Sequence, residues 1–260
     1  MEVVIVPTAD DAARIVADVV VHLIERRLDA VLGLATGSSP LGAYRLLIAE
    51  HRSGRVSFAA CRAVLLDEYV GLRPDHPEAY RSVIHREFAD HVDLPPDNLY
   101  GPDVGAEDLP AACARYDRLL ADLGGVDLQL VGIGSDGHVG FNEPGSSLRS
   151  RTRVKTLTKA TRRDNARFFS SAEEVPRHVV TQGLGTISDA RHVLLIATGA
   201  AKAEPVARAV EGPLAAVCPA SVLQLHPHAT VVLDEAAAGG LQLADYYREA
   251  YAGKPSWQGL

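Results

Sequence analysis

The feature that most constrains this chain is a unit that recurs along it. A short apolar run stops at a loop of Gly, Ser, Thr or Asp, and a segment of helical periodicity follows. Ala30–Ala35 stops at Thr36-Gly-Ser-Ser-Pro40 and leads into Leu41–Glu50. Leu128–Gly134 ends where glycines begin, and Arg191–Ala197 stops at Thr198-Gly199 before a helix running toward Val210. Val3–Pro7, Arg62–Leu66 and Thr230–Asp234 are further apolar runs of strand length. Helical periodicity is also read through about Arg27 with Asp10 or Asp11 as its cap, over Glu78–His91 and Leu109–Leu123, briefly over Ala220–Leu225, and over Leu241–Tyr251. In the first of these, Asp11, Arg14, Asp18, His22 and Glu25 draw one wet stripe on an otherwise apolar helix. Strands alternating with helices predict a mostly parallel, doubly wound α/β sheet, Rossmann-like, with right-handed crossovers and helices on both faces.

No repeat, low-complexity tract or linker-like block interrupts the chain, so residues 1–260 are expected to form one domain. With 33 acidic against 26 basic residues and a formal net charge of −7, a general nucleic-acid partner is not expected. Any anion must be met by a local basic cluster. The three cysteines, Cys61, Cys113 and Cys218, fit neither a disulfide framework nor a zinc ligand set. A reduced, cytoplasmic setting is the expectation. The first residues lack the features of a signal peptide, and no apolar run approaches the ~20 residues that span a bilayer, so no membrane partner is expected.

Chemistry concentrates at the loops. Gly132–Ser147 packs Asp136, His138 and Glu143 among glycines at a strand's carboxyl end, where open α/β sheets bind ligands. A histidine flanked by carboxylates can be held in one tautomer with its cation favoured, as a proton shuttle requires. Turn chemistry and a metal site are the alternatives at this stretch. Thr36-Gly37-Ser38-Ser39 before a helix start makes an anion site of free amides and hydroxyls, without the Gly-Lys-Ser/Thr ending of a Walker loop. A plain turn with a serine cap and Pro40 at the first helical position is the alternative there. Asp67 and Glu68 end a strand as an acidic pair. From Arg149 to Arg167 eight cations face the one acid Asp164, as a phosphate-capturing surface, a lid or a solvated face. A mobile lid is expected around residues 149–182.

Taken together and in order, Leu34-Ala-Thr-Gly-Ser-Ser-Pro40, Leu66-Asp-Glu-Tyr-Val-Gly-Leu72, Gly132–Pro144, Ser150-Arg-Thr-Arg-Val-Lys-Thr-Leu157 and Ser221-Val-Leu-Gln-Leu-His226 resemble the glucosamine-6-phosphate deaminase family nearly end to end. The resemblance implies conversion of glucosamine 6-phosphate to fructose 6-phosphate and ammonia, with no cofactor and no metal. It implies that Asp67 is the general base moving a proton from C2 to C1, and that His138 opens the pyranose ring. Asp136 and Glu143 would orient and charge the imidazole. Phosphate recognition carries over to Thr36, Gly37, Ser38, Ser39, Arg167 and Lys202. Ser146, Arg153 and Lys155 match an effector site for N-acetylglucosamine 6-phosphate, which lies between subunits and so implies a homo-oligomer where it is used. The related 6-phosphogluconolactonases share a Gly-x-Gly-x-Asp-Gly-His core, but the continuation Val139-Gly-Phe-Asn-Glu-Pro144 and the Asp67-Glu68-Tyr69 pattern fit the deaminases. A non-catalytic sugar-phosphate sensor would need the phosphate loop without Asp67, His138 and Glu143.

Overall fold

The structure is a computed structural model that describes residues 1–171, 173–255 and 257–260. In chain order the elements are β1 (Glu2–Val6), α1 (Ala9–Arg26), β2 (Val31–Leu34), α2 (Leu41–Arg52), β3 (Arg62–Leu65), β4 (Asp67–Tyr69), α3 (Tyr80–Glu87), β5 (Leu99–Tyr100), α4 (Leu109–Asp122) and β6 (Leu128–Val131). They continue as β7 (Arg153–Thr156), α5 (Lys159–Asn165), β8 (His178–Thr181), α6 (Leu184–Ser188), β9 (His192–Ala197), α7 (Ala203–Val210), β10 (Ala229–Asp234), α8 (Glu235–Ala238) and α9 (Ala244–Ala252). Seven strands form one parallel sheet in the order β1-β10-β9-β6-β2-β3-β5.

The period of two along these strands sorts their side chains into two cores. Leu32, Leu34, Leu128, Leu130, Leu194 and Ile196 face one layer, packed with Val16 of α1, Tyr44 of α2 and Ile84 of α3. Val31, Val64, Val131, Val193 and Leu195 face the other, with Tyr116 of α4, Leu184 of α6 and Val206 of α7. Near-continuous apolar runs are what strands covered on both faces require. The expected doubly wound, mostly parallel architecture is therefore present, in a single domain.

Several boundaries differ, each for a local reason. Helix α1 is capped by Thr8, not by Asp10 or Asp11: its hydroxyl accepts from Asp11 N at 3.1 Å. The two aspartates fall in the first turn, where the helix dipole favours them. The helix expected over Glu78–His91 is α3 alone. Phe88, at φ −149 and ψ −61, leaves helical geometry to pack against Tyr44 and Phe58 at 5.0 and 5.3 Å between ring centroids. Residues Pro219–Leu225 form a 3₁₀ turn. The last helix starts at Ala244 because the Glu211 carboxylate binds Gln242 N and Leu243 N at 2.8 Å and holds the entry turn open.

A second, antiparallel sheet, ordered β4-β8-β7, has no counterpart in the sequence reading. The chain changes sheets at Leu66, between β3 and β4. The Leu65 carbonyl, left without a ladder partner by that change, accepts from the Tyr116 hydroxyl at 2.6 Å and from Gln182 Nε2 at 3.0 Å. A third cluster packs Tyr69 and Phe141 with Leu157, Val175 and Val179, which belong to the segment expected as a lid.

Candidate functional site

Carboxyl ends of β2, β6 and β9, neighbours in the sheet, open onto one crevice, and β3 runs past its rim into β4. Four loops meet there: 36–40, 67–69, 132–143 and 198–202.

The loop after β6 folds back on itself. Gly134 N donates to the His138 carbonyl at 2.9 Å, and Asp136 Oδ1 accepts from His138 N at 3.0 Å while engaging His138 Nδ1 at 2.7 Å. The imidazole lies directly over Gly134, where any Cβ would sit 2.0–2.3 Å from its ring atoms, so only glycine fits. The bond to His138 holds the Asp136 carboxyl below its usual range. With Nδ1 engaged, Nε2 is the atom free to carry a proton. Among the described residues the Glu143 carboxylate is reached by the Thr161 hydroxyl, and by Thr158 at 3.5 Å, and no hydrogen bond joins it to the imidazole. The hydroxyls come from α5, which covers the loop.

Asp67 and Glu68 are adjacent and both buried, yet chemically unlike. Strand geometry turns successive side chains to opposite faces. Glu68 faces the start of α3 and is saturated: Tyr69 N, Tyr80 N and Arg81 N all donate to it at 2.9 Å. Asp67 faces the crevice and accepts no hydrogen bond among the described residues. Its Oδ2 lies 3.3 Å from where a Cβ on Gly140 would stand, so the catalytic loop passes its backbone against this carboxylate. Gly140 holds φ +57 there, which glycine adopts without strain. Burial, reinforced by the neighbouring Glu68 charge, pushes the Asp67 carboxyl well above its ordinary value. A carboxylate of raised pKa is a stronger proton acceptor than an ordinary one.

A second cluster is cationic. Lys202 Nζ donates to the Ile133 carbonyl at 2.6 Å, and burial together with the charge of Arg167 lowers its pKa. Among the described residues neither cation has a carboxylate within ion-pair distance; Arg167 lies over the Phe168 ring at 4.7 Å. Two cations brought together create a local positive potential that favours an anion. The 36–40 loop lies beside them. Pro40 stands at the N-cap of α2, not at the first helical position, with no side-chain cap, so the helix-end amides are free. Ser39 Oγ borders Gly132, and Thr36 lies beside the Tyr80 hydroxyl. The serine-cap alternative is thereby removed. The 198–202 loop is fixed by Asp234, whose two oxygens accept from Gly199 N at 3.0 Å.

Of the basic run, only Arg167 is brought beside Lys202. Arg151 pairs with Asp189 at 2.5 Å, and Arg162 binds the Val175 carbonyl at 3.0 Å. The side chain of Asp164, and residue 172 within the expected lid, lie outside the described residues. Arg153 and Lys155 alternate onto one face of β7, half-buried; Ser146 is buried, and its hydroxyl has no partner among the described residues. No hydrogen bond joins Ser146 to either cation. Among the described residues no group of three His, Cys, Asp or Glu is arranged to hold a metal ion, and no helix is long and apolar enough to cross a membrane.

The sequence reading missed Glu68 as the clamp on α3, Tyr69, Tyr80 and Gln182 around Asp67, and Thr161 and Asn165 on α5. Strand alternation alone was the signal that could have separated Asp67 from Glu68.

The motifs that build these loops are shared with known proteins. A family model described as glucosamine-6-phosphate isomerases/6-phosphogluconolactonase matches residues 7–232. A protein named glucosamine-6-phosphate deaminase from Streptomyces coelicolor (strain ATCC BAA-471 / A3(2) / M145) is 60% identical over 261 residues, covering 100% of both chains. One of the same name from Mycolicibacterium smegmatis (strain ATCC 700084 / mc(2)155) is 58% identical over 261 residues, again covering 100% of both. A solved monomeric glucosamine-6-phosphate deaminase superposes with a TM-score of 0.90 at 43% identity, over 92% of this chain and 100% of that one. The 6-phosphogluconolactonase from Trypanosoma brucei, with a TM-score of 0.73 at 23% identity over 92% and 98% of the two chains, shares the fold alone. With the same fold and a match that spans most of its length, the chain belongs to the family of glucosamine-6-phosphate isomerases and 6-phosphogluconolactonases.

Proposed function

We infer that the chain is a glucosamine-6-phosphate deaminase, an enzyme of amino-sugar catabolism that takes a sugar phosphate as substrate. The observation that carries this reading is the division of the acidic pair: Glu68 is spent on backbone amides, while Asp67 is buried, unbonded and of raised pKa beside the Asp136–His138 loop. A lactone hydrolase needs no base poised for a carbon acid.

The chemistry follows from the groups present. The phosphate is held by the amides and hydroxyls of Thr36–Ser39 with Lys202 and Arg167, the guanidinium gripping two oxygens and the ammonium acting as a point charge. His138, through Nε2, moves the proton of the C1 hydroxyl to the ring oxygen, breaking the C1–O5 bond and leaving an open-chain aldehyde. That carbonyl acidifies the C2 hydrogen. Asp67 takes the C2 proton, the electron pair shifts into an enolamine, and the same carboxyl returns the proton to C1. The product is a ketose imine at C2. Water adds to C2, ammonia leaves, and fructose 6-phosphate remains. The carbon skeleton is unchanged and oxidation level only moves from C1 to C2, with no net redox change, so the residues named suffice. General acid–base steps of this kind are worth ~10²–10⁴-fold each.

Glu143 belongs to the same acid–base set, its hydroxyl partners on α5 marking where a covering segment meets the loop. Residues 149–182 act as that lid. Ser146, Arg153 and Lys155 form a site for N-acetylglucosamine 6-phosphate in a homo-oligomer; the buried, unpartnered Ser146 hydroxyl and the uncompensated cations on β7 support this reading. Three buried free cysteines suit a reducing compartment, the cytoplasm.

The test is to follow ammonia and fructose 6-phosphate together, with a chelator present, in the wild type and in Asp67→Asn. The wild type should form both products in equal amounts. Asp67→Asn should lose turnover and C2 hydrogen exchange in deuterated solvent while still binding phosphate. Hydrolysis of 6-phosphogluconolactone without deamination would sink the reading, and C2 exchange near the wild-type rate in Asp67→Asn would remove Asp67 as the base.

A further inference from the structure

Helix α5 lies in the most basic stretch of the chain, yet the face it turns to the centre is neutral. Thr158, Thr161 and Asn165 are spaced three and four apart, which aligns them along one side of the helix. That side touches the centre at both ends. Near its start the Thr161 and Thr158 hydroxyls reach Glu143 Oε1. At its end Asn165 Nδ2 donates to the Tyr69 hydroxyl at 3.0 Å. Arg162 points elsewhere, to the carbonyls of Val175 and Glu173. Arg167 follows Asn165 by two residues, in the 3₁₀ turn Ala166–Phe168.

Tyr69 stands two residues after Asp67 on β4 and is 2% exposed. Its ring packs against Tyr80, Phe141 and Phe169, with centroids 4.9, 5.9 and 5.7 Å away. Its hydroxyl also receives the Tyr80 hydroxyl at 3.3 Å, and Tyr80 lies beside Thr36 of the phosphate loop. A single chain of hydroxyls and one amide therefore runs from the phosphate loop, past the strand that carries Asp67, to the end of α5, two residues before Arg167.

We propose that Thr161 and Asn165 are positioning residues that register α5 on the acid–base set through Glu143 and the Tyr69 hydroxyl, so that capture of phosphate by Arg167 and alignment of Asp67 occur as one event. This rests on the reading of Arg167 as a phosphate ligand. Neutral polar side chains suit the task. A cation here would compete with Arg167 for the phosphate or pair with Asp67 and lower the pKa that makes it a base.

The experiment uses the whole protein and inorganic phosphate as probe. Tyr69→Phe removes one oxygen and keeps the ring packing, and Asn165→Ala removes the other partner. The net worth of a neutral hydrogen bond corresponds to about a five-fold change in an equilibrium constant. Each variant should weaken phosphate binding about five-fold, raise amide exchange over residues 159–168 in the phosphate-bound state, and raise KM more than it lowers kcat. The double variant should be no worse than Tyr69→Phe alone, because that substitution already removes the contact with Asn165. Phosphate affinity and exchange at wild-type values in Tyr69→Phe, or additive losses in the double variant, would overturn the proposal. Thr161→Val tests the other end. Removing the hydroxyl that reaches Glu143 should raise amide exchange over residues 159–168 in the phosphate-bound state and raise KM more than it lowers kcat, and wild-type values of both would overturn the role of Thr161. The phosphate arm needs no turnover, so a wild type that released no ammonia would overturn the proposed function and leave this test standing.

Discussion

Replacing Glu68 by Gln separates two consequences of a single buried charge. The carboxylate accepts three backbone N–H groups at 2.9 Å, from Tyr69, Tyr80 and Arg81, at the start of α3. A glutamine oxygen at the Oε1 position can keep Tyr69 and Tyr80, but its amide nitrogen then faces Arg81 N, donor against donor. Hydrogen bonds to a charged acceptor are worth about 1.5–3 kcal/mol and neutral ones about 0.5–1.5 kcal/mol. Two bonds weakened by about 1 kcal/mol each and one amide left unpaired, at about 1–3 kcal/mol, give a loss of about 3–5 kcal/mol. Relief from burying the charge offsets part of this, so Glu68→Gln should destabilise the protein by about 2–4 kcal/mol. In a chain of this size that corresponds to a fall in Tm of about 5–10 °C. Equilibrium urea unfolding, with the m-value checked for constancy, reads the change directly. The second consequence has a defined sign. Glu68 helps to raise the Asp67 carboxyl, so removing its charge should lower the Asp67 pKa and shift the acid limb of the pH–rate profile to lower pH. A stability change under about 0.5 kcal/mol would refute the clamp. An acid limb that moves upward would refute the electrostatic argument, whatever the stability result.

Further outcomes follow from other sites. His192, buried, stacked on His228 at 3.8 Å and bonded to Thr230 Oγ1 at 2.9 Å, is held neutral: burial, with His228, His226 and Lys254 nearby, pulls its pKa down to about 3. Because the folded value lies below the unfolded one near 6.5, the stability contributed is complete above about pH 6.5 and is lost as pH falls toward 3. By pH 4.5 the loss from this group should approach about 3 kcal/mol, read as a falling urea midpoint that flattens in His192→Gln, and an equally steep acid slope in that variant would refute the assignment. Lys202→Met should raise KM for the sugar phosphate at least ten-fold and abolish the competition by inorganic phosphate, because it removes a cation from the anion site while keeping the buried stem. Unchanged phosphate competition would place the anion elsewhere.

How much of this molecule was legible before folding depends on the distance over which each interaction acts. The sheet was legible, because apolar runs ended by Gly, Ser, Thr or Asp and followed by a 3.6 period leave a chain few arrangements other than parallel strands with covering helices. The Asp136–His138 pair was legible for the same kind of reason: two residues on a glycine-rich turn meet through local geometry, with no help from the rest of the chain. The phosphate loop is likewise a local property of a strand ending at a helix start. The antiparallel sheet was not legible, since β7 reads Arg-Val-Lys-Thr and acquires its strand character only by pairing with β8. Sequence could propose that Arg167 and Lys202 meet, through likeness to a family, but their meeting depends on how α5 settles over the crevice. The same settling gave Glu143 its threonine hydroxyls. The division of labour between Asp67 and Glu68 belongs to tertiary structure as well. Two neighbouring carboxylates are equivalent as letters, and among the described residues one is left without a hydrogen bond and the other is saturated, because α3 presents its amides to one face of the strand only.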